Sequence, residues 1–391
     1  MTRRATRITA LFTAALVLAS CGSGAAGDSA VQAKSTPASA DGPPFTITPQ
    51  GSFDEPWAMT FLPGGDSALI TEKSGKVLLW EKSGRTTEVL GAPSVDYGGQ
   101  GGLGDVALAP DFARQSEVGD GGMIYLSWVE AGPDDTRGAV VGRAFYDAGH
   151  LQPRLQNLQV IWRQNPKVSG RGHFSHRIAF APDGKSMFVS SGERQKFTPA
   201  QDLKVNLGKV VHLNLDGTPA AGGPFVAKGG LPELWSIGHR NLLGLQFDAQ
   251  GRLWDLEHGP KGGDELNLVK PGANYGWPVV SNGDNYDGTP IPRHSTRPEF
   301  APPAVYWNPV IAPGDFTFYS GKLWPEWKGN AVIGGMSPSV LVRVAIDGER
   351  AREVARYPMD KRIREVVEGP DGALWLLEDG KGGRLLELRP R

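Results

Sequence analysis

The sequence predicts an all-β fold, a six-bladed β-propeller, on three observations. Gly (53) and Pro (31) make up about a fifth of the 391 residues, and both break helices. A hairpin-like unit recurs six times after residue 45. Between the units lie long aperiodic stretches such as residues 274–303, which read as functional loops on a rigid scaffold.

Each unit is an apolar strand, a tight turn rich in Pro, Asp or Gly, a second apolar strand, and often an acidic residue. The first runs through Leu62-Pro63-Gly64-Gly65 to Thr71-Glu72, and the second through Ala109-Pro110-Asp111 to Trp128. The third turns at Pro182-Asp183-Gly184 and the fourth at Asp248-Ala249-Gln250-Gly251. A degenerate fifth spans residues 318–334, and the last turns at Gly369-Pro370-Asp371-Gly372. Period-2 alternation around such turns is a hairpin signature. Six similar hairpins point to radial repetition, with a β-sandwich pair or a β-helix as the competing arrangements. The spacing is irregular, roughly 45 to 75 residues, as expected if long loops crowd one mouth of a central channel.

The N-terminus reads as an address. Arg3, Arg4 and Arg7 precede a short apolar run, residues 8–19, too short to span a bilayer comfortably. Leu18-Ala19-Ser20-Cys21 then resembles a bacterial lipobox, and Cys21 is the only cysteine. Residues 1–20 are therefore expected to be a lipoprotein signal peptide, and residues 21–44, rich in Ser, Ala, Gly and Pro, a flexible tether. The catalytic domain is expected over 45–391. The chain would be exported and held on the outer face of a bacterial membrane only through a lipid on Cys21. One cysteine makes neither an internal disulfide nor a thiolate zinc cluster. A net charge of −1, from 41 basic and 42 acidic residues, argues against a nucleic-acid partner.

Four segments could carry chemistry. Gly98-Gly99-Gln100-Gly101-Gly102-Leu103-Gly104-Asp105 lets backbone approach a ligand closely, although such clusters more often simply turn the chain. Arg171-Gly172-His173-Phe174-Ser175-His176-Arg177 offers an imidazole for general-base work, and Glu193 beside the next strand could orient it. A lone histidine in such a loop is more often structural. His239-Arg240-Asn241 supplies directed donors suited to a quinone, carboxylate or carbonyl, and equally a surface ion pair and an Asn turn. The segment from Glu257 to Glu265, followed by Asn274-Tyr275-Gly276-Trp277-Pro278, combines carbonyls and carboxylates, which are hard ligands suited to calcium. Its spacing matches neither an EF-hand nor a zinc-protease helix.

In this order on six β units, the segments resemble the soluble quinoprotein sugar dehydrogenases, the glucose/sorbosone dehydrogenase family, and most closely its aldose sugar dehydrogenase branch. The resemblance covers residues 45–390 or so. It implies a six-bladed propeller holding pyrroloquinoline quinone (PQQ) and calcium at one mouth. It further implies that Gln100 contacts the cofactor, His173 is the general base, and Glu193 orients that base. Arg240 and Asn241 would hydrogen-bond the quinone. The carbonyls of Gly259 and Pro260 would hold a catalytic calcium, and Glu265 and the Tyr275 carbonyl a second, structural one. Tyr286 would lie beside the cofactor, and Arg362 and Arg364 would meet its acidic groups. Two residues apart on a strand, these arginines point the same way.

The implied reaction is oxidation of an aldose at C1 to the lactone. His173 would take the hydroxyl proton, a hydride would pass to the quinone, and electrons would leave to an external acceptor. Arg240 and calcium would stabilise the developing charge. The sequence departs from the family at three places. Ser337, placed by the resemblance among the cofactor-binding residues, stands where the family usually has a lysine, so one positive charge toward the cofactor would be missing; Gly172 stands where some relatives have Asp, and His176 where many have Gly. Other classes remain open on the fold alone: a surface-tethered module binding glycan or protein, and a calcium-dependent lactonase.

Overall fold

The computed structural model describes residues 30–34, 42–118, 121–149 and 152–391. The predicted signal peptide and Cys21 lie outside the described residues. The expected fold is present: six four-stranded antiparallel sheets form the blades of a propeller. Strand β1 (Phe45–Asp54) belongs to the last blade. Blade one is β2 (Pro56–Phe61), β3 (Ser67–Glu72), β4 (Lys76–Glu81) and β5 (Thr86–Val89). Blade two is β6 (Leu103–Leu108), β7 (Gly121–Ala131), β8 (Arg137–Asp147) and β9 (Arg154–Arg163), with helix α1 (Phe112–Val118) between its first two strands. Blade three is β10 (Ser175–Phe180), β11 (Ser186–Ser191), β12 (Lys209–Asn214) and β13 (Leu234–Ile237). Blade four is β14 (Leu242–Phe247), β15 (Leu253–Glu257), β16 (Asp264–Leu268) and β17 (Val305–Trp307). Blade five is β18 (Pro313–Phe318), β19 (Ala331–Met336), β20 (Ser339–Asp347) and β21 (Arg350–Pro358). Blade six is β22 (Ile363–Glu368), β23 (Leu374–Glu378) and β24 (Lys381–Pro390), completed by β1 on β24.

The six predicted hairpins are the two inner strands of each blade. Their turns close as the sequence dictates. Gly184 donates to the Ala181 carbonyl at 2.8 Å and Gly372 to that of Gly369 at 2.8 Å, each with positive φ that glycine adopts freely. The outer strands carry a weaker sequence signal. In β9, at the edge of its blade, only Leu155 and Trp162 are buried, so little alternation is imposed on its sequence.

Apolar side chains pack between blades. One cluster joins blades one and two around Trp57, Leu126 and Trp128, and another joins five and six around Trp324, Trp327 and Phe45. Similar clusters fill the other four gaps. The expected free tether is docked in part. Ala33 donates to the Tyr306 carbonyl at 2.8 Å and Tyr306 to that of Val31 at 3.0 Å, so residues 31–33 line the open edge of β17. An edge strand offers unpaired backbone groups, which explains how so polar a segment finds a seat.

Every inner strand is bulged near its start. The register shifts at Pro56/Ala58, Leu103/Val106, Ser175/Ile178, Leu242/Gly244, Pro313/Asp315 and Ile363/Glu365. Bulges re-aim side chains. Among the residues at or beside these bulges are Trp57, Asp105, Arg177, Leu243, Asp315 and Glu365, one from each blade, and they meet. Arg177 donates to Glu365 at 2.6 Å, to Asp105 at 3.3 Å and to the Leu243 carbonyl at 2.7 Å. It lies 3.7 Å from Asp315 and 4.0 Å from the centroid of the Trp57 ring. Burial pushes the pKa values of Asp315 and Glu365 up, and Arg177 only partly opposes this.

Replacing Arg177 by Met would strand three buried carboxyls, at a cost of about 3–5 kcal/mol. Urea denaturation at neutral pH should show that loss. The loss should shrink as pH falls and Asp315 and Glu365, whose pKa values burial raises, take up protons. An unchanged urea midpoint would show that the hub contributes nothing to stability.

Candidate active site

The loops that enter inner strands and those that leave second strands converge on one mouth of the channel. His173 precedes β10, Arg240 and Asn241 precede β14, and Arg362 precedes β22, while Glu193, Gly259 and Asp379 follow β11, β15 and β23. An inner cavity of about 250 Å³ is lined by Gln100, Asn241, His258, Arg362, Arg364 and Asp379, among others. A second cavity of about 300 Å³ opens over His173, Glu193, Arg240, Trp277 and Tyr286.

His173 is buried, with a positive φ of 51°. Its Nδ1 makes a short hydrogen bond to Glu193. Glu193 also accepts from the Phe197 amide at 2.6 Å and the Gln195 amide at 3.0 Å. Burial alone would raise the Glu193 pKa; His173, the Phe197 amide and Arg240 outweigh it and hold the carboxyl below its usual range. Burial lowers the His173 pKa, with Glu193 opposing and Arg240 adding to the fall. The ring is therefore neutral at neutral pH. The carboxylate fixes the proton on Nδ1 and leaves Nε2 as an acceptor.

The loop carrying the base is clamped. Buried Arg194 donates to the carbonyls of Gly170 (2.6 Å), Gly172 (2.9 Å) and Arg137 (2.6 Å), and stacks 3.7 Å from the Phe174 ring centre. Gln100 accepts from the His173 amide at 2.7 Å. A Cβ at Gly99 would lie 2.6 Å from the Arg171 carbonyl, so this glycine lets the two loops touch.

Arg240 faces the base across the outer cavity. Its amide donates to Glu257 at 2.6 Å, and Nη1 donates to the carbonyls of Gly259 (2.7 Å) and His258 (3.1 Å). Nη2 reaches the Tyr286 hydroxyl at 3.4 Å, and Nε is buried with no partner. Tyr286 is 73% exposed and forms the lip of the outer cavity rather than a wall of the inner one. Asn241 accepts from the Ser175 hydroxyl at 3.3 Å.

Arg362 and Arg364 share one carboxylate. Arg362 Nε donates to Asp379 at 2.8 Å, and Arg364 donates at 2.9 and 2.7 Å. Burial raises the Asp379 pKa, but the two guanidiniums more than reverse it. Ser337 is exposed in the turn after β19 and does not line the inner cavity; its neighbour Met336 does. His176 lines that cavity too. It stacks on Trp57 at 5.1 Å, bonds Ser127 at 2.8 Å, and is pushed by burial to a pKa of about 3.

Gly259, Pro260, Glu265 and Tyr275 are brought together. With Glu257 they line a void of about 20 Å³, room for one ion or water. The Tyr275 carbonyl accepts from His294 at 3.0 Å, and His294 Nδ1, with no hydrogen bond among the described residues, lies 3.9 Å from Glu265. Alongside, His239 lies 3.2 Å from Glu257 and 3.5 Å from Asp255. Asp255 Oδ2 and Asn267 Oδ1 are buried without hydrogen bonds. Burial, helped by Glu257, lifts the pKa values of Asp255 and Glu265 well above the usual range. Glu257 and Glu265 on the void, with the orphaned oxygens of Asp255 and Asn267 beside it rather than on it, fit a hard cation of the calcium class.

Sequence reasoning passed over Lys73, Arg194 and Asp379 as site residues. Each stands at or just beyond the second strand of a hairpin. That position, marked by the recurring acidic residue, was the available signal.

Around one mouth of the propeller stand a carboxylate-oriented imidazole and a cavity lined by cationic side chains. The chain belongs to the Glucose / Sorbosone dehydrogenase family, whose profile it matches over residues 53–387. It is similar to the aldose sugar dehydrogenase YliI of Escherichia coli K12, 37% identical over 355 residues, covering 88% of this chain and 92% of that one. It is 26% identical over 413 residues to quinoprotein glucose dehydrogenase B of Acinetobacter calcoaceticus, covering 85% and 84%. The soluble aldose sugar dehydrogenase of Escherichia coli in its apo form superposes with a TM-score of 0.81 at 34% identity, over 89% of this chain and all of that one. The PQQ-bound aldose sugar dehydrogenase of Streptomyces coelicolor superposes with a TM-score of 0.72 at 27% identity, over 90% and 100%.

The dyad makes a measurable prediction. Glu193 raises the imidazole pKa, so Glu193→Gln should lower it further. An NMR titration of His173, its signal assigned by its loss in His173→Ala, should show the shift. An upward or absent shift would mean that the carboxylate does not act on the ring.

Proposed function

We propose that this protein oxidises the C1 hydroxyl of aldose sugars to the lactone, with PQQ as cofactor, and passes the electrons to an external acceptor. The observation that carries the reading is the His173–Glu193 dyad, which opens on the same cavity as Arg240. The quinone, when bound, supplies the hydride acceptor. His173 Nε2 takes the C1 hydroxyl proton, and Glu193 stabilises the imidazolium that results. Arg240, its Nε free of other bonds, directs positive charge at oxygen that becomes negative. Arg362 and Arg364 bind acidic groups of the cofactor, and Asn241 and Gln100 position it. Calcium would be held by the carbonyls of Gly259 and Pro260, with Glu265 and the Tyr275 carbonyl holding a second ion. Phe197, 48% exposed and stacked 5.6 Å from Trp277, gives the outer cavity an apolar wall for a sugar face. The reading includes export and anchoring through a lipid on Cys21, supported by the lipobox-like run before it.

Purified chain supplied with PQQ and calcium should acquire the quinone absorbance and reduce a redox dye when an aldose is added. His173→Ala should keep the absorbance and lose about 10²–10⁴-fold in turnover. Because burial lowers the His173 pKa, turnover should fall only as pH drops below the ordinary histidine range. Absence of both chromophore and dye reduction would favour a glycan- or protein-binding propeller. Lactone hydrolysis without dye reduction would favour a lactonase.

A further inference from the structure

We propose that Lys73 is the residue that makes the inner cavity net positive, and that it contacts a carboxylate of the bound cofactor. The inference rests on the PQQ reading above and adds a residue that the reading does not use.

Lys73 directly follows β3, the second strand of blade one, the position that Glu193 and Asp379 approach in their own blades. It lines the inner cavity with Arg362 and Arg364, and only 15% of its side chain is exposed. Its ammonium donates to the Gly99 carbonyl at 3.1 Å. It lies 3.6 Å from the Glu55 carboxylate and 5.9 Å from the centre of the Tyr97 ring. An ammonium has three donors. The carbonyl takes one, and Glu55 stands at ion-pair distance rather than in a tight hydrogen bond.

The charges along this wall decide what Lys73 does. Arg362 and Arg364 both lean on Asp379. Glu55 also lines the cavity, and its carboxylate bonds the Tyr97 hydroxyl. Two guanidiniums against two carboxylates leave the wall neutral. Lys73 tips it to one positive charge. Arg240 stands outside this cavity's lining, its Nη1 taken up by the carbonyls of Gly259 and His258. The exposed Ser337 adds no charge. A cavity for a tricarboxylate needs a positive excess, and here Lys73 supplies it.

The bland alternative is that Lys73 only pins Glu55 and the Gly99 loop. Glu55 separates the two. If the ammonium serves the cofactor, Glu55 competes for it, and Glu55→Gln should tighten cofactor binding. If Lys73 is merely structural, Glu55→Gln should leave binding unchanged or weaken it as Lys73→Gln does.

The test is titration of PQQ onto the calcium-supplied full chain, read by quinone absorbance at low and high salt, with near-UV circular dichroism as the check on folding. Lys73→Gln should raise Kd by about tenfold or more and flatten its salt dependence. Lys73→Arg should stay near the unsubstituted value, and Glu55→Gln should lower Kd severalfold. A Kd for folded Lys73→Gln within about twofold of the unsubstituted chain would overturn the assignment, as would a Glu55→Gln variant that does not bind more tightly. If the unsubstituted chain takes up no PQQ, the functional reading falls first and this inference with it.

Discussion

The guanidinium of Arg177 touches a group from every other blade, and the propeller's geometry hangs on it. Glu365, Asp105, Asp315, the Leu243 carbonyl and the Trp57 ring come from five different inner strands. A buried cation pays heavily for desolvation and is tolerable only when its partners surround it. The arrangement therefore specifies the ring more than it strengthens it. The partners can reach Arg177 only with all six blades closed and each inner strand bulged near its start. The bulges aim these side chains inward at the head of each inner strand, and the loops just beyond carry the site.

That coupling explains why the mouth can hold opposed electrostatic regimes close together. Beneath Arg240 lies a nest of carboxyl groups, Asp255, Glu257 and Glu265, with pKa values raised by burial at Asp255 and Glu265. On the wall of the inner cavity stand Arg362, Arg364 and Lys73. Between them the base is neutral because it is buried, and correctly protonated because Glu193 is not. None of these groups needs to move to find its partner. Arg194 ties the base loop by three carbonyls, and Gln100 holds its backbone from the neighbouring blade. The scaffold supplies rigidity, and the loops supply chemistry.

Much of this was legible in the sequence. Most inner hairpins could be read because turns rich in Pro, Asp or Gly punctuate runs of clean alternation. The fifth was blurred because residues 319–330, with a 3-10 turn at Pro325–Trp327, separate its strands. The His173, Glu193 and Arg240 segments stood out because unusual residues cluster beside strands. The Arg177 hub did not, since its partners Asp105, Asp315 and Glu365 each look like ordinary acids and meet only in three dimensions. What makes up for the family lysine that Ser337 replaces could not be traced by register either. Ser337 faces outward while Met336 faces the cavity, and Lys73, from another blade, carries the charge. The docking of residues 31–33 escaped notice because their composition is that of a linker; the open edge of β17, not their own sequence, gives them structure.

The pairing of β1 with β24 has a consequence for the order in which the molecule is made. Phe45 pairs with Pro390 and Asp54 with Lys381, so the first strand of the domain waits for nearly the whole chain. Contacts so distant in sequence are slow to form and leave an edge strand exposed in the interval. Ring closure, burial of Arg177 and completion of the mouth are therefore late and nearly simultaneous events. A chain truncated within its last ten residues would lose not one strand but the condition under which the other five blades agree.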